Sequence, residues 1–290
     1  MKLEFRNYDN KYDTVRQVLK QEFKLSSRLI LKLKKTNNIF VNNENTFLDK
    51  EIINGDIVSV CVDFNEDNSN IVPNKMDLDI LFEDDYLLIV NKPAGIPVHP
   101  SMDHFEDSLS NGIKYYFDSI NLHRKIRPVN RLDRNTSGIV IFAKNEYIQE
   151  QLITQMKYNK FHKEYIAICE GLFENQTGII DAPIARKDNS IIERCVCANG
   201  ERAVTEYTVL KEMINITEVK VNLLTGRTHQ IRVHMAYIGH PILGDDLYGK
   251  PSSLINRQAL HAYKTSFIHP IAKQSIEIIS NLPNDIKKLC

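Results

Sequence analysis

Asp133 lies in Arg131-Leu132-Asp133-Arg134-Asn135-Thr136-Ser137-Gly138, with Arg124, Lys125, Arg127, Arg131 and Arg134 close to it along the chain. One carboxylate among five cations is ionised at neutral pH, so it could attack an electrophilic carbon or take a proton. The plainer reading is a salt-bridge or turn aspartate, which the Asn, Thr, Ser and Gly neighbours favour. Ile139 to Ala143 follows as an unbroken apolar run and reads as a central strand. A reactive group in the preceding loop would therefore stand on a rigid edge.

A second chemical segment runs from Leu223 to Pro241. Thr228 can cap a helix whose apolar face is Ile231, Met235 and Ile238, with Gly239 and Pro241 stopping it. Arg227 and the first helical amides would suit a phosphate, and Arg232, one turn on, could hold a carboxylate bidentately. His229 and His234 point away from one another at a spacing of five, which favours capping and core roles over metal ligation. Leu87 to Lys92, followed by Pro93-Ala94-Gly95, reads as a buried strand ending in a turn and looks structural. No phosphate-binding Gly-Lys-Ser/Thr loop and no Gly-x-Gly-x-x-Gly string occurs, which removes the simplest nucleotide-cofactor readings. The five cysteines read as reduced structural thiols, because Cys195-Val-Cys197 lacks a second pair to complete a metal site.

The elements that must position these groups divide in two. The 290 residues balance 37 basic against 37 acidic side chains, and such neutrality argues against a nucleic-acid partner. By segment the balance dissolves. Residues 1–62 are net basic, 63–77 net acidic and Asn-rich, and 78–290 balanced. The middle stretch reads as a solvated linker between a small module and a large domain. In the module, Val15, Val18, Leu19 and Phe23 recur at helical spacing, and Ser26 or Ser27 can cap a second helix with Leu29, Ile30 and Leu33 on its apolar side. Arg28, Lys32 and Lys35 share the opposite face. Ile39-Phe40-Val41, a turn at Asn42-Asn43, and Ile57 to Val60 supply short strands. No apolar run is long enough to span a bilayer, and the start lacks a signal-peptide core, so a cytoplasmic protein is expected.

Two short helices and a small sheet over Tyr12 to Val62 resemble the S-four-type RNA-binding module. That resemblance implies that Arg28, Lys32 and Lys35 grip RNA backbone. The family usually carries Gly after the basic helix where this chain has Asn37-Asn38, and Asn tolerates the left-handed conformation such a turn needs. The strings NKPAGIPVHP, RLDRNTSGIVIFAKN, KEYIAICEG and TGRTHQIRVHMAYIGHPILGDDLYG resemble, in that order, the motifs of the RluA/RluD family of pseudouridine synthases.

The resemblance implies an α+β, mixed-sheet catalytic fold, isomerisation of uridine in structured RNA, and neither cofactor nor metal. It assigns the catalytic carboxylate to Asp133, the active-site tyrosine to Tyr165 and the carboxylate-pairing arginine to Arg232. The reaction breaks the bond between uracil and ribose, turns the base and rejoins it through carbon 5. Unstacking the base costs a few kcal/mol, which stacking on Tyr165 partly returns. Arg131 would hold a phosphate or fill the vacated space. Asn130 stands where the family usually has His; it can hydrogen-bond but cannot titrate, which speaks against proton transfer there. A monomer acting on ribosomal RNA or tRNA is expected, large-subunit ribosomal RNA before tRNA. The rivals are an RNA-binding assembly factor without catalysis and a nucleic-acid N-glycosidase, the latter needing a second flanking carboxylate.

Overall fold

The computed structural model describes residues 1–290. The basic half begins with strand β1 (Lys2–Arg6) and a helical turn α1 (Val15–Gln17) that continues as a π-helical stretch, Val18–Glu22. Helix α2 (Ser27–Lys35) follows, then β2 (Ile39–Val41), β3 (Glu44–Asn45) and β4 (Ile57–Cys61). Ser26 caps α2 by accepting the Leu29 amide at 3.1 Å, as its position predicts. Asn37, φ 52°, takes the left-handed turn that ends the helix. Asn42 and Asn43, φ 51° and 68°, make the tight turn between β2 and β3, and the four strands form an antiparallel sheet in the order β1-β4-β2-β3.

The larger part carries β5 (Asp79–Glu83), β6 (Leu87–Lys92), α3 (Leu109–Ser119), β7 (Ser137–Ala143), α4 (Glu146–Lys157), β8 (His162–Glu170), β9 (Thr177–Asp181), β10 (Ile184–Arg186) and β11 (Arg194–Val196). It ends with β12 (Val204–Glu212), β13 (Ile216–Leu223), α5 (Gln230–Tyr237), β14 (Leu260–Ile268), β15 (Ser275–Ile279) and α6 (Asn284–Lys287). Nine strands make one sheet in the order β5-β6-β7-β14-β8-β13-β12-β9, with β15 beside the second half of β14. The β7–β14 pair is parallel and the others antiparallel, so the sheet is mixed and the fold α+β.

Strands β6 and β7 show why their sequences are unbroken apolar runs. Leu87, Ile89, Ile139 and Ile141 face one core, shared with α4 and the N-terminal module. Leu88, Val90, Val140 and Phe142 face the other, where Leu109, Ile113 and Phe117 of α3 cover them. A strand covered on both faces has no polar position, and each such side chain contributes roughly 1.5–3 kcal/mol by burial. Gly138 opens β7 because a Cβ there would stand 2.3 Å from the Ala262 carbonyl oxygen of β14.

The segment 63–77 has neither helix nor strand, but it is not the solvated linker that its composition implies. Ile71 enters the α3 core, Asn68 is buried, and Glu66 accepts two hydrogen bonds from Arg127, both 2.6 Å. Asn68 and Asn74 instead satisfy backbone groups of the large domain, donating to the Arg124 and Glu106 carbonyls.

Candidate active site

The loop before β7 is held from four sides. Asn130 accepts the Ile141 amide and donates to the Ile139 carbonyl, both at 2.9 Å. Its amide is thus committed to the strand. The Gly95 amide reaches the Arg134 carbonyl at 2.9 Å, and Arg257 donates to the Asn135 carbonyl at 3.0 Å. Lys92, fully buried, donates to the carbonyls of Pro93, Ile96 and Arg134 at 2.8, 2.8 and 2.9 Å. Burial lowers its pKa to about 7, opposed by the charge of Asp133.

Asp133 itself opens into a cavity of about 530 Å³ whose lining includes Asn130, Arg131, Lys163, Tyr165, Arg227, His229 and Arg232. Helix α5 brings Arg232, whose Nη1 donates to Asp133 Oδ2 at 3.1 Å. The expected bidentate grip goes elsewhere. Arg232 Nε and Nη2 donate to Asp245 at 2.7 and 2.8 Å, leaving only the third nitrogen for Asp133. Asp245 is fully buried and also accepts the amides of Leu247 and Tyr248. Burial opposes the Arg232 charge, but its hydrogen bonds to Asp245 and the two carboxylate charges raise its pKa. The Tyr248 ring lies under the same guanidinium, 5.0 Å from its carbon.

Tyr165 on β8 is buried, and burial followed by the charge of Asp133 pushes its phenol above the usual range. Asp133 and Tyr165, distant in sequence, both line the one cavity. His229 differs from expectation. It, not Thr228, precedes the first helical residue, in a left-handed conformation (φ 58°), with Nδ1 2.8 Å from the Tyr248 hydroxyl and Nε2 3.9 Å from Asp133. Burial lowers its pKa, so the neutral ring is favoured. His234 is a core residue, bonded to Thr205 and the Ala182 carbonyl at 2.8 and 2.9 Å.

Several cations fall outside their expected roles. Of the five near Asp133 in sequence, only Arg131 lines the cavity. Arg124 pairs with Asp63 and Arg127 with Glu66, while Arg134 leans on His104. Arg227 lines the cavity but pairs with Glu201 and donates to the Arg202 carbonyl, and its amide is taken by Gln230, so no ready phosphate cradle forms. Lys32 is neutralised by Glu66 at 3.0 Å and Glu146 at 3.1 Å, joining α2 to the large domain; Arg28 also reaches Glu146, at 3.6 Å, but like Lys35 it stays exposed. Both line a groove of about 1200 Å³ that shares Val129 and Arg131 with the cavity. Asp245, Tyr248 and Lys92 were not legible as site residues. Nothing local separates a buried carboxylate after Gly244 from a turn aspartate.

A carboxylate set by an arginine beside a buried tyrosine, on a mixed sheet, is the arrangement that the sequence motifs imply. The family model for RNA pseudouridylate synthase matches residues 86–237. A Bacillus subtilis (strain 168) protein, named uncharacterized RNA pseudouridine synthase YhcT, is 40% identical over 278 residues, covering 94% of this chain and 91% of that protein. Ribosomal large subunit pseudouridine synthase D of Blochmanniella floridana is 35% identical, covering 87% and 85%. The solved structure of human RNA pseudouridylate synthase domain containing 1 superposes with a TM-score of 0.58 at 25% identity, covering 71% and 83%. The chain belongs to the RNA pseudouridylate synthase family. It is an RNA pseudouridine synthase of the RluA/RluD type.

Proposed function

We propose that the cavity receives a uridine flipped out of large-subunit ribosomal RNA, and that Asp133 is the carboxylate that starts its isomerisation. The observation that carries this reading is the Asp245–Arg232–Asp133 chain. A buried carboxylate fixes two guanidinium nitrogens and so aims the third at the carboxylate facing the cavity. Asp133 can then act on the sugar or the base without reorganising its surroundings, and Tyr165 offers a face to the unstacked base. Relatives named for the large ribosomal subunit support the choice of RNA.

The N-glycosidase reading is weaker because Asp133 is the only carboxylate among the cavity-lining residues, leaving none to activate water from the opposite side. The N-terminal module acts in this scheme as an S-four-type RNA grip. Arg28 and Lys35 hold backbone in the groove that runs on to Arg131. The test is Asp133→Ala: pseudouridine formation ceases while RNA binding persists. Undiminished turnover in that variant refutes the assignment. Mapping pseudouridines across total RNA with and without the enzyme identifies the RNA.

A further inference from the structure

Lys163 is a cavity-lining cation with no protein partner. It sits on β8 two residues before Tyr165, so both side chains leave the same face of the strand. Both line the cavity that Asp133 enters. The nitrogen lies near Gly226 on the β13–α5 loop, 3.5 Å from the point that a Cβ there would occupy. Three other enclosed lysines are engaged. Lys92 holds three carbonyls, Lys144 holds Glu83 and the Asp84 carbonyl, and Lys32 holds two glutamates. Lys163 is half-buried with neither ion pair nor hydrogen bond, and burial alone lowers its pKa, with no carboxylate acting against it. An ammonium in that condition costs stability.

We propose that the Lys163 ammonium binds a carbonyl oxygen of the target uracil and stabilises the negative charge that the base carries when it leaves the ribose. This rests on the assignment of the cavity to the target uridine. In the isomerisation the bond between N1 and C1′ breaks with its electron pair on the base. The charge spreads over N1, O2 and O4. The base turns, C5 bonds to C1′, and in a later step solvent takes the C5 proton while N1 gains one, leaving the product base neutral; Lys163 keeps its three protons throughout. A preplaced cation in a partly water-excluded site is worth most where charge develops, so it favours the transition state over the bound substrate. Arg131 at the exposed rim is better placed for a phosphate than Lys163.

The experiment compares wild type, Lys163→Met and Asp133→Ala on in vitro-transcribed large-subunit ribosomal RNA carrying 5-tritiated uridine. Unmodified total RNA from a strain lacking the enzyme serves as a second substrate. Lys163→Met should slow single-turnover tritium release by on the order of 10² to 10³-fold, leave RNA affinity and its salt dependence unchanged, and melt no lower than wild type. Lys163→Arg, which keeps the charge, should recover part of the rate. A Lys163→Met rate equal to wild type overturns the proposal. So does a loss confined to affinity with the salt slope reduced by about one, which would mark a phosphate contact. If the Met variant does not fold, Lys163→Gln, which retains most of the stem, is measured in its place against the same two outcomes. Turnover by Asp133→Ala on the same RNA would instead remove the cavity assignment itself.

Discussion

The ammonium of Lys92 donates to the carbonyl oxygen of Arg134 at 2.9 Å, tying the end of β6 to the residue after Asp133. Three carbonyls occupy all three of its N–H groups, so the loop is fastened to the sheet by a charged knot and not by packing alone.

Lys92→Met should therefore leave the core strand in place but free the loop. Displacing a reacting group by about 1 Å costs on the order of 10²-fold in rate. Single-turnover tritium release is expected to fall by about that factor, with RNA affinity unchanged. An unaltered rate would show that Asp133 is positioned without Lys92.

Asp245→Asn removes the charge that fixes two of the Arg232 nitrogens. Breaking a buried pair by neutralising one partner destabilises by about 3 kcal/mol, measurable as a lower urea midpoint with an unchanged slope. The rate should fall as well, because Arg232 is free to rotate toward Asp133 or away from it. Full stability in this variant would mean that the pair adds nothing beyond its cost of burial.

Lys32 and Lys35 should separate, although they share a helix face. Lys35→Met, like Arg28→Met, is expected to lower the slope of log affinity against log salt by about one. Lys32→Met should leave that slope alone and lower the melting temperature, since its partners are Glu66 and Glu146. A changed slope for Lys32→Met would show that RNA displaces the two glutamates.

Acid should unfold the protein through two windows. His261 is buried between Ser137 and the Ser280 carbonyl, and burial lowers its pKa from 6.5 to about 4. Its folded pKa lies below the unfolded one, so its stability is whole above pH 6.5 and is lost as the pH falls toward about 4. Burial opposes the Glu66 charge, but hydrogen bonds from Arg127 and Lys32 outweigh it and lower its pKa from 4.5 to about 2. That contribution, on the order of 3 kcal/mol, is present above pH 4.5 and disappears toward about 2. His261→Gln should flatten the first window of a pH–urea series and Glu66→Gln the second. Unchanged curves would rule out each group as the source.

The sequence by itself determined several local elements and the family. Helix spacing, the Ser26 cap, the Asn turns and the unbroken run of β7 are local properties that the chain satisfies within a few residues. Motif strings point to Asp133, Tyr165 and Arg232 because each lies inside a contiguous pattern, and the fold brings the three to one cavity. Partnership was not local. Of the five cations near Asp133 in sequence, Arg124 and Arg127 go to other acids and only Arg131 lines its cavity, while the arginine on its carboxylate comes from a helix 99 positions along the chain. Likewise an acidic stretch that composition gives to solvent is fixed by Glu66, Asn68 and Ile71. Which charge meets which depends on burial and on how strands are ordered across the sheet. For that reason the bidentate grip on Asp245, the clasp at Lys32 and the unpaired ammonium of Lys163 emerged only with the tertiary structure.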